Sequence, residues 1–256
     1  MTDIAAGAPR RATPFAPYHK WDRNFFLALV LAIWLGIVMG FGGEIAEHIQ
    51  SHALAYPWIV HVHAVAFVGW LVLLTTQVML IRLKRPQLHY RLGAGMMALA
   101  AFMVVIGPAT AIYMQRLQFG TKDSDPAFLA VQLFDIVAFA GLVTAGYLLR
   151  NTASAHKRLM LLSTLFISDA GFARWLGHPI GVLLGSYDGF WPFLAEGYLV
   201  PDILILTLGA YDLATRKRLY PAYLWGAAWA FALQLIVGLL YYAPWWKTTA
   251  THLIGH

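Results

Sequence analysis

Residues 58–81 read WIVHVHAVAFVGWLVLLTTQVMLI, and residues 82–91 follow as RLKRPQLHYR. The first stretch holds no Asp, Glu, Lys or Arg and lacks the period-two alternation of a barrel strand, so it reads as a continuously apolar helix. Roughly 20 such residues cross the ~30 Å of hydrocarbon in a bilayer. The second stretch packs Arg82, Lys84, Arg85 and Arg91 around Pro86, which is the composition of a turn at a membrane surface. Together they predict one complete crossing and its exit.

Working outward, six further runs have the same character: Phe25–Phe41, Leu92–Tyr113, Ala127–Leu149, Leu159–Leu176, Tyr198–Leu213 and Ala222–Ala243. The sixth run is the least regular, because Pro201 lies near its start and proline suits only the first turn of a helix. Pro108, after Gly107, is expected to kink the third. The whole chain of 256 residues is 60% hydrophobic and 12% charged, against about 45–50% and 25% in soluble domains. Such a chain is neither disordered nor a nucleic-acid binder. With no cysteine, disulfides, thiolate metal sites, iron–sulfur clusters and a cysteine nucleophile are excluded. The expected fold is an all-α integral membrane bundle of seven transmembrane helices in one domain. Residues 1–23 form a tail, 24–244 the bundle and 245–256 a second tail.

The cations set the expected orientation. If the N-terminus is cytoplasmic, fourteen of the 18 Lys and Arg face inward, and only Arg116, Lys122, Arg174 and Lys247 face outward. Of the 12 acids, Asp3, Asp22 and Asp212 fall inside, while nine take the other side: Glu44, Glu47, Asp123, Asp125, Asp135, Asp169, Asp188, Glu196 and Asp202. Fourteen cations with three acids leave +11 inside, and four cations with nine acids leave −5 outside. The bacterial inner membrane is the expected location, with the C-terminus in the periplasm.

Several ionisable residues lie inside the runs. At 1.5 Å per residue, Asp135 is ~12 Å into the fourth helix, Asp169 ~10 Å from the outer end of the fifth, and His61 and His63 ~5–8 Å into the second. Asp202 is a turn or less into the sixth. Such groups are costly in hydrocarbon and face the bundle, paired or functional. His61 and His63 are about 200° apart around the axis. The His63 face continues through Phe67, Trp70, Leu74 and Gln77, so His63 is the inward one. A set of His63, Asp135, Asp169 and Asp202, with His178, has the ligand chemistry of zinc, iron or manganese. A divalent metal there would activate water or oxygen, with Asp135 and Asp169 in the catalytic role. The structural alternatives are that Asp202 serves the first turn of its helix, Asp169 pairs with Arg174, Asp135 bonds Gln132, and His63 bridges helices. No HExxH or HxxxH spacing is present.

On the inner side, His89 (LHYRLG, 88–93) and His156 (HKRLM, 156–160) each open a helix after a basic loop. They suit the axial ligands of haem b, or simply a position beside lipid phosphates. The pattern His63…Gln77…Arg82…His89-x-Arg91-Leu92-Gly93, then His156-Lys157-Arg158-Leu159-Met160…Arg174-Trp175, resembles a group of uncharacterised bacterial polytopic membrane proteins over about 80 residues. That resemblance implies a shared helical fold and no assigned activity. The chain is also faintly similar to transmembrane two-haem cytochromes b, which would imply haem at His89 and His156. It departs from them in having no histidine on the fourth helix to partner His63. Seven-helix zinc hydrolases of the adiponectin-receptor type are an architectural comparison alone, since their late paired histidines are missing from Ala222–Ala243.

There is no G-x-S-x-G, P-loop or Rossmann motif, and no span holds a lysine for a retinal. The segment His178–Trp191 reads as a lid or an interfacial loop. The leading expectation is a metal-dependent membrane enzyme, hydrolase or oxidoreductase, acting on a lipid-like or amphipathic substrate at the bilayer. The others are a haem-b electron-transfer protein and a proton- or cation-coupled carrier or assembly subunit.

Overall fold

Prolines place the starts of several helices. Pro86, Pro221 and Pro244 each sit in the first turn of a helix, where the missing N–H would have had no partner and the fixed φ is already helical. The computed structural model describes residues 15–51, 55–185 and 189–256. Among these there is no strand. The helices are α1 (Asp22–Gln50), α2 (Trp58–Arg82), α3 (Pro86–Gln118), α4 (Leu129–Leu148), α5 (Ala153–Ile167), α6 (Asp169–Phe172), α7 (His178–Leu184), α8 (Phe190–Arg216), α9 (Pro221–Tyr241) and α10 (Pro244–Leu253). A π-helical turn, Ala173–Gly177, joins α6 to α7. Seven spans among the described residues are long and apolar enough to cross a membrane, with α5 to α7 forming the fifth.

The spans run up and down between two ends of opposite character. At the basic end Arg23 of α1 meets Arg82 of α2, Lys157 of α5 meets Asp22, and Arg216 of α8 joins them. At the acidic end Glu44 of α1 meets Arg174, and Tyr241 of α9 donates to Asp125. The fifth span is the least apolar of the seven and the most buried; α2 is the least buried. Polar residues are thus inside, where partners exist, and the apolar surplus faces lipid: Leu31, Leu35, Val38, Val65, Val68 and Val72 are exposed.

Glycine sets how α1 meets the fifth span. A Cβ on Gly40 would come within 2.1 Å of the Gly171 carbonyl oxygen, so the two backbones touch as in other small-residue crossings of membrane helices. Trp70 on α2 is tied to the same span, its Nε1–H donating to Thr164 Oγ1 at 3.0 Å.

Three expectations are corrected. The sixth span begins at Phe190, so Pro201 lies inside α8 and Asp202 is far from its first turn. Pro201 is buried against neighbouring helices, which is where a proline within a span is tolerated. The segment 178–191 is largely helical, with residues 186–188 outside the described set. The C-terminal tail folds as α10, anchored by Trp246, whose Nε1–H donates to the Ala127 carbonyl at 3.0 Å. α3 continues through Pro108. The assignments of Asp3, Arg10, Arg11 and Asp188 to membrane sides fall outside the described residues.

Candidate functional site

The fifth span loosens where its hydroxyls gather. Ser163, Thr164 and Ser168 each donate a side-chain hydrogen bond back to a main-chain carbonyl of Met160 or Leu165, at 2.6–3.2 Å. This pattern weakens and bends a helix. α5 stops at Ile167, Ser168 interrupts it, and Asp169 opens the short α6 ahead of the π-turn. π-Turns within helices recur at functional positions.

Asp169 is 4% exposed and lies beside Asp135 of α4, close enough for the two carboxyls to interact. Two carboxyls so close together inside a bundle favour holding one proton between them. Tyr198 of α8, almost fully buried, donates its hydroxyl to Asp135 Oδ1 at 3.0 Å. Asp202, one helical turn along α8, lies close enough for its charge to act on both Asp169 and Tyr198. Its Oδ1 accepts from Gln234 Nε2 of α9 at 2.7 Å. Asp135 and Asp202 are partly exposed, whereas Asp169 is buried and its Oδ1 has no hydrogen-bond partner.

Of the residues expected to form one site, the structure therefore joins Asp135, Asp169 and Asp202. The histidines stand apart from that trio. His63 is the more buried of its pair, as its helical face requires: its Nδ1 is buried without a partner and its ring stacks on Phe67 at 4.1 Å. His61 is exposed and interacts with the Pro57 carbonyl at 3.2 Å. His178 opens α7 on the surface with Glu196 as a charged neighbour. Among the described residues no three His, Asp or Glu side chains are grouped so as to hold a metal ion. Three of the structural alternatives also change partners. Arg174 pairs with Glu44 at 2.5 Å and not with Asp169, Gln132 pairs with Gln115 at 3.3 Å and not with Asp135, and Asp202 bonds Gln234.

At the basic end, the sequence reading had not linked the groups that do meet. Asp22 accepts from Lys157, Arg216 and the Tyr211 hydroxyl, all at 2.7 Å. Arg158 grips Asp212 through Nε and Nη2, and both side chains are wholly buried. Residues 15–21 cross this end, with Arg216 Nε–H donating to the Ala16 carbonyl at 2.9 Å and Lys157 to that of Pro17 at 3.2 Å. The i,i+4 spacing of Asp212 and Arg216 was the available signal. His89 and His156 are brought together nearby, with ring centres 6.0 Å apart.

Searches against protein-family models, curated proteins and solved structures found no match to the chain.

Proposed function

We propose that the chain is a proton-coupled membrane carrier whose coupling site is Asp135, Asp169 and Asp202. The reading rests on one observation: carboxyls from two spans lie side by side inside the bundle, just before the π-turn of the fifth span. A pair that holds one proton between two carboxyls binds and releases it as the pair is separated or exposed. Tyr198 orients Asp135 and keeps one lone pair of it occupied. Asp202, partly exposed and held by Gln234, is the neighbour through which a proton reaches buried Asp169. Acidic chains of this kind inside spans are the parts of proton relays.

The orientation belongs to the same proposal: a bacterial inner membrane, the basic end and N-terminus in the cytoplasm, and the carboxyl site opening toward the periplasm. The excess of cations at one end supports it.

Reconstitution in liposomes with a trapped pH-sensitive dye tests the function. A potassium-diffusion potential is expected to drive proton entry in the parent. Asp135→Asn and Asp169→Asn should lower it to the rate of empty liposomes, and Asp202→Asn should slow it. Asp123→Asn, at an exposed loop position, should leave it unchanged. Proton entry at the parent rate in both Asp135→Asn and Asp169→Asn sinks the reading.

A further inference from the structure

His89 and His156 open α3 and α5 at the basic end, away from the carboxyl site. Their rings lie 6.0 Å apart, centre to centre, with planes at 89°. The His156 ring is held by one nitrogen. His156 Nδ1 is 2.9 Å from the Gly146 carbonyl oxygen; a carbonyl only accepts, so Nδ1 carries the hydrogen and Nε2 the lone pair. His89 Nδ1 is buried with no hydrogen-bond partner. That nitrogen is open to a ligand in the tautomer that carries its hydrogen on Nε2.

An imidazole with one nitrogen fixed on a backbone carbonyl and the other bare is the arrangement of a metal ligand. The spacing agrees. With metal–nitrogen bonds of about 2.0–2.1 Å, two imidazoles on one ion have centres roughly 5 Å apart at a tetrahedral angle and a little over 6 Å when opposed.

A second observation points to the same place. Gln77 is 6% exposed, and both its amide oxygen and its amide nitrogen are buried without a hydrogen-bond partner. Buried amides are nearly always satisfied, so an orphaned one calls for a missing partner. Its Nε2 lies 3.9 Å from the position a Cβ would take on Gly93, one turn along α3 from His89. A cation would supply the partner that the Gln77 amide oxygen and His89 Nδ1 both lack.

We propose that His89 Nδ1, His156 Nε2 and Gln77 Oε1 form a binding site for one first-row transition-metal ion. Imidazole and amide oxygen suit zinc, copper or nickel, and copper(II) heads the affinity order for such ligands. The site uses no residue of the carboxyl cluster, so it stands or falls separately from the carrier reading.

Copper(II) added to chelator-treated, detergent-solubilised full-length protein tests it. One equivalent is expected to give an electron paramagnetic resonance signal with couplings from two imidazole nitrogens. His89→Gln and His156→Gln should each weaken binding at least tenfold, Gln77→Leu several-fold, and exposed His61→Gln not at all. A His89→Gln/His156→Gln double variant that binds like the parent overturns the proposal. So does a haem Soret band in the purified parent that disappears with either histidine, because haem iron would then occupy the ligands. The unmodified chain supplies a check that needs no variant. Copper should slow diethylpyrocarbonate modification of His89 and His156 but not of His61, and equal rates with and without copper rule the site out.

Discussion

Arg158 and Asp212 are wholly buried against each other at the basic end, and Ser154 accepts a further bond from the same guanidinium at 2.8 Å. Removing one partner leaves an uncompensated charge, so Arg158→Met or Asp212→Leu alone is expected to cost about 3–5 kcal/mol, while the double replacement recovers most of that loss. Unfolding in mixed micelles titrated with denaturing detergent, followed by tryptophan fluorescence, measures both. At Tyr198 the loss is smaller. Tyr198→Phe leaves Asp135 short of one donor and should destabilise by about 1–3 kcal/mol in the same assay. Legibility differs residue by residue. Asp135, Asp169 and Asp202 stood out because a carboxylate inside an apolar run is costly wherever its partner lies. Tyr198 and Gln234 did not, because a tyrosine or a glutamine in a span is ordinary until its contact is known.

The fifth span shows the limit of reading elements by hydropathy. Leu159–Leu176 is expected as one apolar helix; the span is one helix but runs over Ala153–Leu184, with a local loosening at Ser168 and a π-turn at Ala173–Gly177. Its serines and threonines can bond solvent, a neighbouring helix or their own backbone, and only packing selects the last. The crossing of α1 makes a sharper test. Gly40→Ala places a methyl against the backbone of Gly171, which cannot move aside without parting two spans, so a loss of about 3 kcal/mol or more is expected. Gly42 and Gly43, nearby on α1, have nothing within 4 Å of an added Cβ. Alanine at either should be neutral or stabilising by up to about 1 kcal/mol, because it is the better helix former. Thermal stability of the purified variants separates the two outcomes. A Gly40→Ala protein as stable as the Gly42→Ala protein would refute the close crossing.

For the whole molecule, the absence of cysteine makes each introduced thiol the sole target of a maleimide. Tyr18→Cys at the basic end and Thr248→Cys on α10 are both exposed positions. In intact cells stripped of the outer membrane, an impermeant maleimide should label position 248 and reach position 18 only after permeabilisation. The reverse pattern would invert the proposed orientation. The residues by themselves determined that seven apolar helices alternate between a basic and an acidic end. That follows from composition, since backbone in lipid must bond internally and charge must stay near water, whatever the neighbours do. Which polar groups meet was decided only by the tertiary structure. Asp169 faces Asp135 and Tyr198, Arg158 faces Asp212, and His89 faces His156 from helices far apart in sequence. Such pairings depend on how each helix is rotated and where it breaks. Those are set by small contacts, such as glycine on glycine at the α1 crossing, which an apolar stretch read alone does not display.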